Sequence, residues 1–472
     1  MNSPIRRVAV TCMVLFLALM LNVTYSTVFR QDALNNNQQN RRVTDMRFAQ
    51  DRGPILVGNT AIAQSDGVKD QFKYQRSYAK GPLYAPITGY YSYLYGSTGI
   101  EASQSAQLSG QNQGQAIDRL IAQAAGQTPR GATVRTTINA KAQQAAFDGL
   151  GSRKGAVVAI DTTTGAIKAM VSTPSYDPNA LATHDIAASQ EVWKKLNADP
   201  DKPMLNRAAK DIYSPGSTFK LIVAAAAVEH ETTADTKVDA SDYTLPQSTH
   251  VIKQNCGGKS ITLQQALKVS CNPAFARLGA QLGADVLRTQ SEKFGFGQTY
   301  LTDLGQVASH FPDNIDQAQA AMSALGEYDV QATPLQMAMV AAAIANNGVV
   351  MKPYVVDEVL ASGLTVTSKT QPQQASVAVS PATAAQLRQM MVDVVQTGTG
   401  KRAQLAGVEV GGKTGTAVTD RVRLPYTWFV GYAMELHTAV CVFVEDPQTS
   451  LNEATGGQVA APIAKAVWEA LR

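Results

Sequence analysis

Three short strings in this chain carry residue types that together perform acyl transfer. The first is Ser217-Thr218-Phe219-Lys220, preceded by Tyr213-Ser214-Pro215-Gly216. A serine hydroxyl becomes a nucleophile when a neighbour takes its proton. Three residues apart on a helix, Ser217 and Lys220 share a face, so the lysine amine is placed to take it. That amine must first be neutral, which burial or a positive dipole achieves by lowering its pKa. Ser214 is a good helix cap and Pro215 suits a first helical position, so Ser217 is predicted in the first turn at the positive end of the dipole. Residues 221–228 are apolar on every face, so the helix is predicted to be buried.

The second string is Ser270-Cys271-Asn272. Ser270 offers a hydroxyl relay between Lys220 and a leaving group, and Asn272 an amide for a substrate backbone. The string falls between a predicted helix at 262–269 and another that Pro273 begins. The third is Lys413-Thr414-Gly415-Thr416, between Gly411-Gly412 and Ala417-Val418, in the setting of a strand edge. Lys413 adds positive charge, Thr414 and Thr416 offer hydroxyls to a substrate carboxylate, and Gly415 admits close approach to the backbone. The N–H groups of Thr416 and Ser217 are candidates for an oxyanion hole. Alone, such strings are common. Ser77-Tyr78-Ala79-Lys80 also fits the first pattern and Ser450-Leu451-Asn452 the second, and neither is assigned a role. Order and context decide: the three occur in the sequence expected of a serine acyl-transfer site, two of them in helix-start and strand settings.

The elements that must position these residues show in the apolar pattern. Residues 156–160 and 166–171 are short apolar runs around the turn Asp161-Thr162-Thr163-Thr164-Gly165, which predicts a hairpin of core strands. Ala-rich helices are predicted at 221–228, 335–346 and 382–395, two antiparallel strands at 428–433 and 438–444, and a last helix at 462–471. The fold class is therefore α+β: one mainly antiparallel sheet flanked by helices. Residues 52–131 carry turn signals and no long helical period, which predicts a small β-containing or mixed module, with 101–115 as surface loop. Arg6 and Arg7 precede an uncharged run at 8–29, roughly 33 Å long as a helix, enough to cross a bilayer. The arginines favour an inside N-terminus with the rest outside. The run exceeds a usual signal-peptide core, so an uncleaved anchor is expected, against cleavage near Ser26 or a lipid on Cys12. The expected organisation is a cytoplasmic 1–7, a membrane anchor at 8–29, a pedestal at 30–150 (its first residues a polar linker) and a catalytic domain at 151–472.

Composition excludes other classes. With 472 residues the chain exceeds one ordinary core. The net charge of +4 comes from scattered Lys and Arg without a basic stripe, which argues against nucleic-acid binding. The five histidines lack metal-ligand spacing, so no metal and no cofactor is expected. Cys256 and Cys271 are close enough to pair in an oxidising compartment, but separate thiols are the favoured reading.

Beyond the three strings, the chain resembles the class B penicillin-binding proteins, monofunctional D,D-transpeptidases of peptidoglycan synthesis. The resemblance rests on Asn206-Arg207, Pro215 to Lys220, Thr333-Pro334-Leu335-Gln336-Met337-Ala338, Ala345-Asn346-Asn347-Gly348 and Trp428-Phe429-Val430-Gly431-Tyr432, with Arg52-Gly53-Pro54-Ile55 and Gly99-Ile100-Glu101 upstream. Leu56-Val57-Gly58-Asn59 departs from the family's usual second Arg-Gly signature. The short pedestal and single anchor look most like the penicillin-binding protein A group of actinobacteria. The resemblance implies that Ser217 attacks the penultimate D-Ala carbonyl of a stem peptide, with Lys220 as base. It implies that Ser270 and Lys413 help protonate the departing D-Ala, and that Asn272, Thr414 and Thr416 orient the donor. The acyl group then passes to an amine of a neighbouring stem peptide. β-Lactams would acylate Ser217 in the same way, and a membrane glycosyltransferase or a division or elongation protein is the expected partner. A D,D-carboxypeptidase shares the three strings, and a non-catalytic β-lactam sensor or division scaffold is the non-enzymatic alternative. No Glu-x-x-Leu-Asn-like string lies between Asn272 and Lys413, so fast β-lactam hydrolysis is not expected.

Overall fold

The computed structural model describes residues 3–30, 33–34, 41–110, 130–361, 365–417, 425–450 and 453–472. Residues 111–115 of the predicted surface loop, part of the polar linker, and Leu451 and Asn452 lie outside the described residues.

Ser3–Val28 forms one helix with no buried residue, and an 18-residue window within it has a mean hydropathy of 2.1. It is apolar all round, as a span needs to be.

The N-terminal module is built on a six-stranded mixed sheet. Its order is Val366–Lys369, Val356–Leu360, Thr133–Thr136, Ile55–Val57, Thr60–Gly67 and Tyr74–Tyr78. Only the Ile55–Val57 and Thr133–Thr136 pair is parallel, with Ile55 opposite Val134. The residues that depart from the family signature make a two-residue hairpin: Val57 faces Thr60 across Gly58 (φ 58°) and Asn59. The two outermost strands on one side come from residues 356–369, so the C-terminal half of the chain completes the N-terminal sheet.

Glu101 corrects the loop reading of its segment. Gly99–Ser103 and Ser105–Leu108 are short helices, and Glu101 is fully buried. Its carboxylate accepts from Arg52 Nε and Arg76 Nε, each at 2.6 Å. A buried charge needs such partners, and both arginines are distant in sequence, so the local pattern of 101–115 could not signal it.

The second sheet has five antiparallel strands in the order Val410–Ala417, Tyr426–Ala433, Thr438–Val444, Gly155–Asp161 and Ile167–Thr173. The predicted hairpin is there, its turn closed by Asp161 Oδ1 accepting from the N–H groups of Thr163 and Thr164. The strands read as continuous apolar runs because helices cover both faces. Ala140–Leu150 and Ala461–Leu471 lie on one face, where buried Trp468 donates to Thr438 O at 3.1 Å. Pro334–Ala345, buried at every residue, packs on the other, with Lys220–Glu229 beyond it in the same core.

Candidate active site

The nucleophile turn forms because its backbone has partners on both sides. Gly216–Thr218 is a 3-10 turn that leads into the α-helix Lys220–Glu229, so Ser217 precedes the helix rather than lying in its first α-turn. Ser214 does not cap it; its hydroxyl donates to Gly326 O at 2.6 Å. Gly216 N–H donates to the same carbonyl at 3.0 Å. Gly216 has φ 51°, and a Cβ there would lie 3.0 Å from Thr416 O. Gly415 is equally constrained: its Cβ would lie 2.9 Å from Thr218 Cγ2 and 3.0 Å from Pro215 O. The two glycines bring the strand and the nucleophile turn into direct contact, which sets the Thr416 backbone beside Gly216.

The second string lies where a strained residue joins two helices. Ser270 has φ 57° between Leu263–Lys268 and Asn272–Leu282. Its shape is held by Cys271 N–H on Ala266 O at 2.8 Å and by Asn272 N–H on Gln254 Oε1 at 2.8 Å. Cys271 is joined to Cys256, with Cα atoms 5.5 Å apart. This overturns the separate-thiol reading: the chain folds a β-hairpin, Tyr243–Thr244 with Val251–Ile252, back over the helix pair, and so carries Cys256 to Cys271.

The polar side chains meet at Ser270. Lys220 Nζ donates to Ser270 O (2.9 Å), Ser270 Oγ (3.3 Å) and Asn272 Oδ1 (2.5 Å). Lys413 Nζ donates to the same Ser270 Oγ (2.8 Å) and to Thr414 O (2.9 Å). Among the described residues no hydrogen bond is formed to Ser217 Oγ, which is half-buried. Both lysines are fully buried. Burial first, then the Lys413 charge, holds the Lys220 amine well below the ordinary lysine value, and Glu327 pulls the other way. Burial pushes Lys413 down to about 7. Two ammonium groups cannot both stay charged cheaply around one hydroxyl, so the cluster favours at least one neutral amine, the form a proton acceptor needs.

Thr414 and Thr416 continue the strand, Thr414 opposite Phe429 and Thr416 opposite Thr427. Thr414 Oγ1 pairs with Thr399 Oγ1 at 2.7 Å. Thr399 was not foreseen, although the Gly-Thr-Gly at 398–400 marked a turn where chain could approach closely. Gln254 and Glu327 were also missed, because nothing in their local sequence distinguishes them. Of the dismissed match, Lys80 donates to Gln144 Oε1 on the helix Ala140–Leu150 and Ser77 donates to Asp66 Oδ2.

The fold is that of the serine penicillin-recognising enzymes. The description "Penicillin binding protein transpeptidase domain" matches residues 155–469, and "Penicillin binding protein A dimerisation domain" matches 52–134. The chain therefore belongs to the penicillin-binding protein transpeptidase family, as a class B member of the penicillin-binding protein A kind. It is 42% identical to the peptidoglycan D,D-transpeptidase PbpA of Mycolicibacterium smegmatis, over 99% of this chain and 98% of that one. It is 39% identical to the protein of the same name from Mycobacterium tuberculosis, over 100% and 99%. The ceftriaxone acyl-enzyme of penicillin-binding protein A from M. tuberculosis superposes with a TM-score of 0.87 at 38% identity, covering 90% of this chain and 99% of that one.

Proposed function

We infer that this protein is a peptidoglycan D,D-transpeptidase that β-lactams inhibit covalently. The observation that carries the reading is the convergence of Lys220 and Lys413 on Ser270 Oγ beside the turn that bears Ser217. In the reading, neutral Lys220 takes the Ser217 hydroxyl proton as Oγ attacks the penultimate D-Ala carbonyl. The N–H groups of Ser217 and Thr416 hold the oxyanion. The peptide C–N bond breaks, Ser270 and Lys413 relay a proton to the departing amine, and D-Ala leaves. Asn272, Thr414 and Thr416 hold the donor, while Gly415 makes room for the turn that bears Ser217 rather than for the ligand, which corrects its expected role. An amine of a second stem peptide then takes the acyl group and Ser217 regains its proton. The helix Ser3–Val28 is the single membrane anchor, with residues 1–7 inside and pedestal and catalytic domain outside. A membrane glycosyltransferase or a division or elongation protein is the partner that supplies strands.

Fluorescent penicillin will label the protein covalently, and Ser217→Ala will abolish the label. Labelling that survives the change refutes the nucleophile. A synthetic D-Ala-D-Ala stem peptide, supplied with and without an amine, separates transfer from the simple hydrolysis of a carboxypeptidase.

A further inference from the structure

We propose that Glu327 is the acceptor-side residue of this site: its carboxylate holds the ammonium group of the incoming amine next to acylated Ser217 and takes its proton. The proposal rests on the transpeptidase reading above and defines the acceptor's chemistry, a primary amine that is protonated at neutral pH.

Glu327 is built into the nucleophile turn. It is bonded to Gly326, whose carbonyl accepts from both Gly216 N–H and Ser214 Oγ. Gly326 is so close to that turn that a Cβ would collide with the Gly216 carbonyl. The residues on either side of Glu327 are both left-handed, Gly326 at φ 73° and Tyr328 at φ 57°. An aromatic residue adopts that conformation only under constraint, and such strain collects where a site must present a side chain. Glu327 N–H donates to Met322 O and its carbonyl accepts from Val330 N–H, so the backbone is held at both ends.

The side chain is half-buried, and the charges that act on it are those of Lys220 and of His250, in the loop of the hairpin Tyr243–Thr244 with Val251–Ile252. Among the described residues it has no hydrogen-bond or ion-pair partner. Burial raises its pKa, with the Lys220 and His250 charges partly opposing. A half-buried carboxylate without a partner carries a desolvation cost that a ligand cation removes. Tyr328 beside it is 51% exposed and offers an aromatic face to that cation and its alkyl stem.

The first half-reaction does not explain this carboxylate. Its charge raises the Lys220 pKa, against the neutral amine that acylation needs. In the second half-reaction the amine arrives protonated and cannot attack. Glu327 accepts one proton from R–NH3+ and becomes a carboxylic acid. The freed amine attacks the ester carbonyl and the C–Oγ bond breaks. The second nitrogen proton passes through the Lys220–Ser270 group to Ser217 Oγ. The products are an amide, Ser217–OH and neutral Glu327, which then returns its proton to solvent. Atoms and charge balance without a further reactant.

The test measures the partition of the acyl-enzyme between a primary amine and water. The donor is a synthetic D-Ala-D-Ala stem peptide and the acceptor a stem peptide with a free side-chain amine. Acylation by fluorescent penicillin is measured on the same samples and also reports folding. In Glu327→Gln, transfer relative to acylation should fall at least tenfold and the hydrolysis product should rise. Glu327→Asp should recover part of the loss. An unchanged partition overturns the proposal. So does hydrolysis falling more than transfer, which would make Glu327 a base for water, or acylation and transfer falling together, which would make it act through Lys220. A wild-type enzyme that hydrolyses the donor and never transfers overturns the transpeptidase reading as well, whereas wild-type transfer with an unchanged Glu327→Gln partition overturns the acceptor site alone.

Discussion

Two lysines, Lys220 and Lys413, share the Ser270 hydroxyl, and their ionisation is expected to govern both rate and stability. Lys413 sits at about 7 in the folded protein, against 10.5 for the free side chain. Between those values the unfolded chain binds the extra proton, so stability rises with pH across the window, and the penalty is complete below about 7. Lys413→Met should therefore stabilise the fold by an amount on the order of a few kcal/mol at pH 6, shrinking towards pH 10. Denaturant titrations at pH 6, 8 and 10 measure it, and a pH-independent difference would refute the assignment. If charged Lys413 is needed for acylation, the labelling rate should have a descending limb near pH 7. Gly415 makes a second claim at this scale. In Gly415→Ala the new methyl meets Thr218 Cγ2 at 2.9 Å and Trp428 Cβ at 3.0 Å, which must separate strand from nucleophile turn. The expected cost is about 1–3 kcal/mol of stability and roughly a hundredfold in acylation rate. Labelling at the wild-type rate would show that the contact does not matter.

At the scale of elements, local chemistry starts several of the helices around the site. Thr262, Thr333 and Ser380 each accept an N–H three residues on, and Pro334 and Pro381 follow the last two as first residues of their helices. The helix Lys220–Glu229 starts differently from its expected cap. Ser214 is taken by Gly326, a partner 112 residues away, and the helix begins later as a 3-10 turn. The Cys256–Cys271 bridge is the other long-range decision, for it ties the loop after the hairpin to the residue between Ser270 and Asn272. Thiol counting in denaturant without reductant should find Cys12 and Cys441 only. Cys256→Ala should cost about 3 kcal/mol, the loop-closure value for a separation of 15 residues. Four free thiols would contradict the bridge.

Across the whole molecule, the pedestal is held from within by one buried carboxylate and from without by the other half of the chain. Glu101→Gln leaves the Arg52 and Arg76 guanidinium groups buried without their counter-charge, and should cost about 3–5 kcal/mol. Its two arginines hold the Glu101 carboxyl below the ordinary value despite burial. That stabilisation is present above the ordinary carboxylate pKa and is lost as pH falls through the folded one. The variant's deficit should narrow in acid, as melting curves from pH 7 to pH 3 will show; a constant deficit would mean the ion pairs contribute nothing. The strands at 356–369 cap the same sheet, so the pedestal is not made of N-terminal residues alone.

Sequence alone determined what depends on local order. The apolar runs at 156–160, 166–171, 428–433 and 438–444 marked four of the five catalytic-sheet strands, since apolar runs of strand length need no partner to be seen. The strings at 217–220, 270–272 and 413–416 named the polar cluster, since each is contiguous. Only the tertiary structure decided which distant groups share a space. Glu101 looked like loop until Arg52 and Arg76 closed on it, and Cys256 looked like a separate thiol until the hairpin carried it to Cys271. Gln254 and Glu327 have no local signature at all, and the Gly-Thr-Gly around Thr399 marks a turn but not its partner. Their chemistry comes from what folding sets beside them, and electrostatics and hydrogen bonding act through space, not along the chain.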